Sequence, residues 1–219
     1  EWVQSGILIS GNSGLYGAYE HYFEKIWNNN TDRSAFWNAV RNEGEYNHQS
    51  LNLNYADDVF SAYFFPIPGT FCESSWDTLY NPVAKIVNEI KDDEYENELT
   101  INMYHLKTDT FGLRLYNELN TINNINIKSA IHTDSRNQAR NLFSELGVLH
   151  WAAPTHAKNY TICKNTPEGK VYYSITGSTN AKWDAYCSKS NNQLVIKEVD
   201  NPYIYDIFTE IFNNAMIDN

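Results

Sequence analysis

Three observations predict a layered α/β fold for this chain of 219 residues. Short runs rich in β-branched and aromatic residues alternate with amphipathic stretches whose apolar positions recur at i, i+3 and i+4. Punctuating residues separate them, such as Pro66 after a hydrophobic run and Gly147 behind a helical pattern. Two of the runs flank a polar turn and form a hairpin. Strands that alternate with helices at this spacing bury their apolar faces as a sheet covered by helices.

In chain order, Ile7-Leu8-Ile9 reads as a strand and Tyr22 to Asn29 as a helix. Asn28 to Asp58 is polar and Asn-rich, with a short helix from Ser34 to Arg41, Ser34 being a capping residue. Val59 to Phe65 is a strand ended by Pro66, and a loop from Gly69 to Asp77 leads to a helix over Leu79–Lys91. Glu98 to Leu106 alternates as a strand does, Phe111 to Leu119 is helical, and Ile125 to His132 is a further strand. Asp134 to Leu146 is a helix with Gly147 at the C′ position. Leu194-Val195-Ile196 is a strand, and Ile207 to Asn214 a helix.

The hairpin carries the chemistry. His156-Ala157-Lys158 opens its first strand, continued by Tyr160, Thr161 and Ile162. Val171 to Thr176 is the second strand, and the turn between them holds Pro167 and Gly169. Side chains alternate along a strand, so His156 and Lys158 point to one face. Gly177-Ser178-Thr179-Asn180 begins nineteen residues after Lys158, and the hairpin returns it to the start of the first strand. An imidazole, an ammonium and a carboxamide converging on one spot suit a phosphodiester. The imidazole serves as nucleophile or acid, and the other two hold the non-bridging oxygens. Ser178 can bond phosphate as well, while Gly177 makes the tight turn.

His-x-Lys followed by Gly-Ser-x-Asn resembles the signature of the phospholipase D superfamily. The order of Tyr63-Phe64-Phe65-Pro66, the Pro82–Ile90 helix, the Leu99–Leu106 strand and the Leu194–Ile196 strand agrees with it, so the resemblance covers roughly residues 57 to 217. It implies a phospholipase D-like layered fold with a mixed β-sheet flanked by helices. It also implies cleavage of phosphodiesters through a phosphohistidine at a site shared by two such motifs, without cofactor or metal. His156, Lys158 and Asn180 are then the catalytic set, with Gly177, Ser178, His105 and Trp183 around the substrate. Trp151 and Tyr186 flank the motif as further pocket walls. The general-acid role falls to the histidine of the C-terminal motif. A phospholipid head-group ester is the leading substrate, a nuclease is the alternative, and a degenerate binding or structural module is the rival from another class. Two positions depart from the family pattern. Cys163 stands where an Asp is usually separated from the lysine by four residues, and Asn191 or Asn192 stands where a Glu often steadies the imidazole.

An internal repeat gives a second expectation. Ile7-Leu8-Ile9 with Tyr22 to Asn29 parallels Leu194-Val195-Ile196 with Ile207 to Asn214, the spacing differing by two residues. Residues 1–56 are accordingly expected to be the end of a first repeat plus its connection, and residues 57–219 a complete second repeat. The expected partner is an N-terminal chain of the same precursor with the other His-x-Lys; a homodimer is the alternative.

Composition bounds the rest. A net charge of −11 argues against a broad polyanion-binding surface, and the basic residues are scattered. No apolar run is long enough to span a bilayer. Cys72, Cys163 and Cys187 leave an odd number, compatible with one bridge and a thiol, a bridge to another chain, or three thiols. Asn29-Asn30-Thr31 is a glycosylation sequon, and Asn159-Tyr160-Thr161 reads as a chance match inside the motif strand. Together these favour a secreted or luminal protein. His132 and Asp134 close a strand and read as loop caps. His21, His48 and His150 carry no companion groups and read as surface or loop residues.

Overall fold

The structure, a computed structural model, describes residues 7–28, 55–65, 76, 78, 81–91, 94–132, 137–152, 156–187 and 191–217. Eight strands form one sheet: β1 (Tyr55–Ala56), β2 (Phe60–Phe65), β3 (Asn97–Met103), β4 (Ile125–His132), β5 (Val148–Ala152), β6 (Lys158–Thr166), β7 (Gly169–Gly177) and β8 (Asn191–Val199). Their spatial order is β1-β2-β8-β7-β6-β3-β4-β5. β3, β4 and β5 run parallel, and all other neighbours are antiparallel, so the sheet is mixed. Among the described residues the helices are α1 (Ser13–Asn28), α2 (Pro82–Ile90), α3 (Thr110–Leu119), α4 (Asn137–Ser144), α5 (Trp183–Cys187) and α6 (Tyr203–Ile217).

The two faces of the sheet differ in chemistry. Tyr63, Phe65, Leu99, Ile101, Met103, Tyr160, Ile162 and Ile175 meet Val83, Ile86, Phe111, Leu115, Phe143 and Tyr186 from α2, α3, α4 and α5 in the main core. Full burial of each large apolar side chain contributes roughly 1.5–3 kcal/mol. On the other face α1 covers Ala62, Phe64, Leu194 and Ile196, while Phe212 of α6 meets Ala130. The middle of that second face is polar: Thr100 and Thr161 hydrogen-bond to each other, and Thr176 donates to Asn159 Oδ1 at 2.8 Å. Asn159 is buried, so the folded chain offers no acceptor there for a glycan.

Local chemistry explains where elements begin and end. Asn81 Oδ1 accepts from the Val83 and Ala84 N–H groups, and Pro82 opens α2, so that helix starts at Pro82 rather than at Leu79. Asp109 caps α3 in the same way. The β6–β7 hairpin closes over a two-residue turn, Thr166 pairing with Gly169. Strand β3 stops at Met103, three residues short of the expected Leu106, which instead bridges Ala181. Helix α1 begins at Ser13, where Asn12 Oδ1 accepts from Leu15 N. Ile7-Leu8-Ile9 is not a strand: Ile7 and Ile9 pack against the α1 patch, and Leu8 is 96% exposed. Gly147 is not a left-handed cap, since it lacks a positive φ. A Cβ there would meet Ile127 O at 2.3 Å, so a close approach to β4 calls for glycine. The expected Ser34–Arg41 helix, Asp134, His48, Cys72 and Asn29 lie outside the described residues.

Gly177 ends β7 at φ +151°, and a Cβ there would sit 2.2 Å from Asn192 O. Both backbone freedom and absence of a side chain are required. Gly177→Ala is expected to destabilise the fold by about 1–3 kcal/mol. Urea unfolding checks this, and an unchanged midpoint would contradict it.

Candidate active site

The end of the sheet where β3 and β4 finish and β6 begins holds His156 and Lys158. His156 lies two residues ahead of β6, and Lys158, only 8% exposed, is its first residue. The Lys158 Nζ is 3.0 Å from His156 Nδ1 and donates to the His156 carbonyl at 2.9 Å. The expected pairing of imidazole and ammonium is therefore present.

The Gly-Ser-Thr-Asn turn is held from two sides. Ser178 N and Thr179 Oγ1 both donate to Asn192 O, at 3.1 and 3.0 Å, and Ser178 Oγ accepts from Asn192 N at 3.1 Å. Beyond it, Ala181 N donates to His105 O, and Asn180 Oδ1 accepts from His105 N at 3.1 Å. With its oxygen committed to His105, the Asn180 carboxamide has its NH2 end as donor for an incoming oxygen. Ser178 acts here as a brace for the turn.

Tyr104, which the sequence reading did not single out, sits at the centre of the cluster. Its ring centroid is 4.6 Å from that of His156, 4.9 Å from His132 and 4.0 Å from His105, the last pair stacked at 15°. Lys158 Nζ lies 5.5 Å from the same centroid. His105 thus reaches the site through both its backbone and its ring. His132, buried at the end of β4, belongs to the aromatic cluster rather than merely capping a loop. The signal for Tyr104 was its place just past a parallel strand, where α/β sites form.

Other candidates fall elsewhere. Trp183 opens α5, its N–H bonded to Asp109 Oδ2 at 2.8 Å and its side chain packed against the main core. Tyr186 is fully buried and stacks on Phe111 at 4.3 Å, so it is a core residue and not a pocket wall. Asn191 Nδ2 donates to Ala185 O at 2.8 Å, and Asn192 Oδ1 accepts from Tyr19 OH at 3.4 Å. Both carboxamides are thus engaged away from the imidazole. Cys163 is a buried free thiol whose pKa is raised by burial, and Cys187 is disulfide-bonded.

Electrostatics follow from the crowding. Burial brings the Lys158 ammonium down to about 8. The imidazole of His156 is lowered first by burial, then by the charges of Lys158 and His132. Among the described residues no group of three or more His, Cys, Asp or Glu side chains is arranged to hold a metal. No helix among them is long and apolar enough to cross a membrane. An open groove of about 230 Å³ lined by Ser61, Tyr63, Lys85, Glu89, Tyr173 and Lys197 lies towards the opposite end of β2, β7 and β8.

No family model and no curated protein matches the sequence. Among solved structures the chain is similar to a phospholipase D family member, Nuc from Salmonella typhimurium, at 15% identity and a TM-score of 0.46, covering 71% of this chain and 92% of that one. It is similar to NucT from Helicobacter pylori at 12% identity and a TM-score of 0.44, covering 73% and 96%. For polyphosphate kinase from Porphyromonas gingivalis the identity is 13% and the TM-score 0.47, covering 68% of this chain and 25% of that one. The mixed, helix-flanked sheet is the α/β layer architecture that the alternation of strands and helices in the sequence implied.

Proposed function

We propose that this chain supplies half of the active site of a phospholipase D-type phosphodiesterase, with a phospholipid head-group ester as substrate. The observation that carries the reading is the Lys158 Nζ at 3.0 Å from His156 Nδ1; the hold of Asn180 on the His105 backbone, next to the Tyr104 ring that meets His156, supports it. A histidine from a second His-x-Lys attacks phosphorus, and the bond from phosphorus to the leaving oxygen breaks as His156 gives that oxygen its proton. Water then attacks the phosphohistidine, its proton passing to the now neutral His156, and a phosphate monoester leaves. Lys158 and Asn180 hold the non-bridging oxygens throughout.

The second His-x-Lys comes from an N-terminal chain of the same precursor, with a second copy of this chain as the alternative. Residues 1–56 are read as the end of a first repeat and residues 57–219 as the second. The sequence parallel between the α1 and α6 segments supports this division, although Ile7–Ile9 forms no strand to match β8. The disulfide at Cys187 supports a secreted or luminal location, and the Asn29 sequon a glycan. A nuclease is the second reading, favoured by the partly exposed Tyr104–His105 stack, which offers a surface for a base.

The test is turnover of a phospholipid, an aryl diester and single-stranded DNA by the assembled protein across pH 4–9, a range spanning roughly the imidazole and depressed ammonium titrations. A general acid works only while protonated, so the rate falls as pH rises through the pKa of His156. That pKa is lowered, which places the falling limb on the acidic side of an ordinary imidazole, before Lys158 loses its charge at about 8. Turnover of DNA without lipid selects the nuclease reading. No turnover of any diester selects a binding module.

A further inference from the structure

We propose that Tyr104 is the positioning residue of this site, its ring fixing the tilt of the His156 imidazole where relatives use a carboxylate. The inference rests on the phosphodiesterase reading of His156. Its basis is that one ring touches every basic group of the cluster. The interplanar angles are 43° to His156 and 52° to His132, with His105 stacked on it and Lys158 Nζ 5.5 Å from its centroid. The backbone is tied to the motif as well, since Tyr104 N donates to the carbonyl of Ala157, between His156 and Lys158, at 2.8 Å. Ring and imidazole therefore cannot drift apart without breaking the start of β6.

The two asparagines at the usual place of the carboxylate are engaged with Ala185 and Tyr19. An aromatic wedge restrains an imidazole by contact and by its electron-rich face, which attracts the imidazolium and Lys158. It fixes orientation without adding a negative charge, whereas a carboxylate does both. Tyr104 thus acts through His156, by the contacts of its ring.

The experiment combines kinetics with a geometric readout. In the assembled protein, Tyr104→Phe is expected to keep kcat within about twofold, whereas Tyr104→Leu lowers it by about 10–100-fold with KM little changed, as for a misplaced catalytic group. Histidine-labelled NMR reads the ring-current shift of the His156 protons, assigned with His156→Gln. That shift is retained in Tyr104→Phe and lost in Tyr104→Leu. A Tyr104→Trp variant, with its larger ring current, moves the same protons the other way, which separates a lost wedge from a loosened fold. Equal loss of kcat in the Phe and Leu variants, or His156 protons that respond to none of the substitutions, overturns the proposal. If the shifts behave as expected but no diester is turned over, the positioning role stands and the hydrolase reading fails.

Discussion

His156→Asn is expected to slow hydrolysis of a diester with an alkoxide leaving group by about 10²–10⁴-fold, the usual contribution of a general acid. An aryl diester, whose phenolate departs without a proton, should lose far less. The contrast follows from where His156 stands. Its Nδ1 is 3.0 Å from the Lys158 ammonium, so the imidazole works beside the cation that draws in phosphate. The phosphoryl group should then appear on the histidine of the second motif, located by mass spectrometry after rapid quenching of a reaction with an aryl diester. A phosphoryl group on His156 would reverse the assigned roles.

Lys158→Met should lower kcat/KM by about 10²–10³-fold, as loss of one pre-organised donor to developing charge does. The variant tests function cleanly. Lys158 is 8% exposed, and burial holds its ammonium at about 8, so the fold gains little from its charge. Removing a buried charge relieves a desolvation cost, and methionine keeps most of the stem. The lost bond to the His156 carbonyl offsets part of that relief, so the urea midpoint is expected to change little while activity collapses. A parallel fall in both would mean that Lys158 is structural.

The motif geometry was legible because it depends on local rules. A period of two puts His156 and Lys158 together, and the turn at Pro167 and Glu168 returns the chain to where Asn180 meets His105. Gly177 could be read as a tight turn, although its close approach to Asn192 O could not. Tyr104 was missed because its role depends on β3 stopping at Met103, and the alternation through Leu106 hid that end. Among the described residues strand β5 pairs with β4 alone, and although Gly147 marks the end of the preceding helix, the five residues of β5 are too few to set up a period of their own. Gly14 and Gly17 lower the helix propensity of α1, whose start is set by Asn12 and by packing on β2. For Asn191 and Asn192, sequence position suggested a replaced carboxylate, whereas long-range bonds decide where those side chains go.

Titration of the protein with inorganic phosphate, followed by NMR of labelled His and Asn side chains, tests the convergence of His156, Lys158 and Asn180 most directly. The expected result is that the His156 ring and the Asn180 carboxamide shift together along one binding curve, and that Lys158→Met abolishes both shifts. An unchanged His156, or shifts of the His156 ring and the Asn180 carboxamide that persist in Lys158→Met, would contradict a phosphate site at the hairpin.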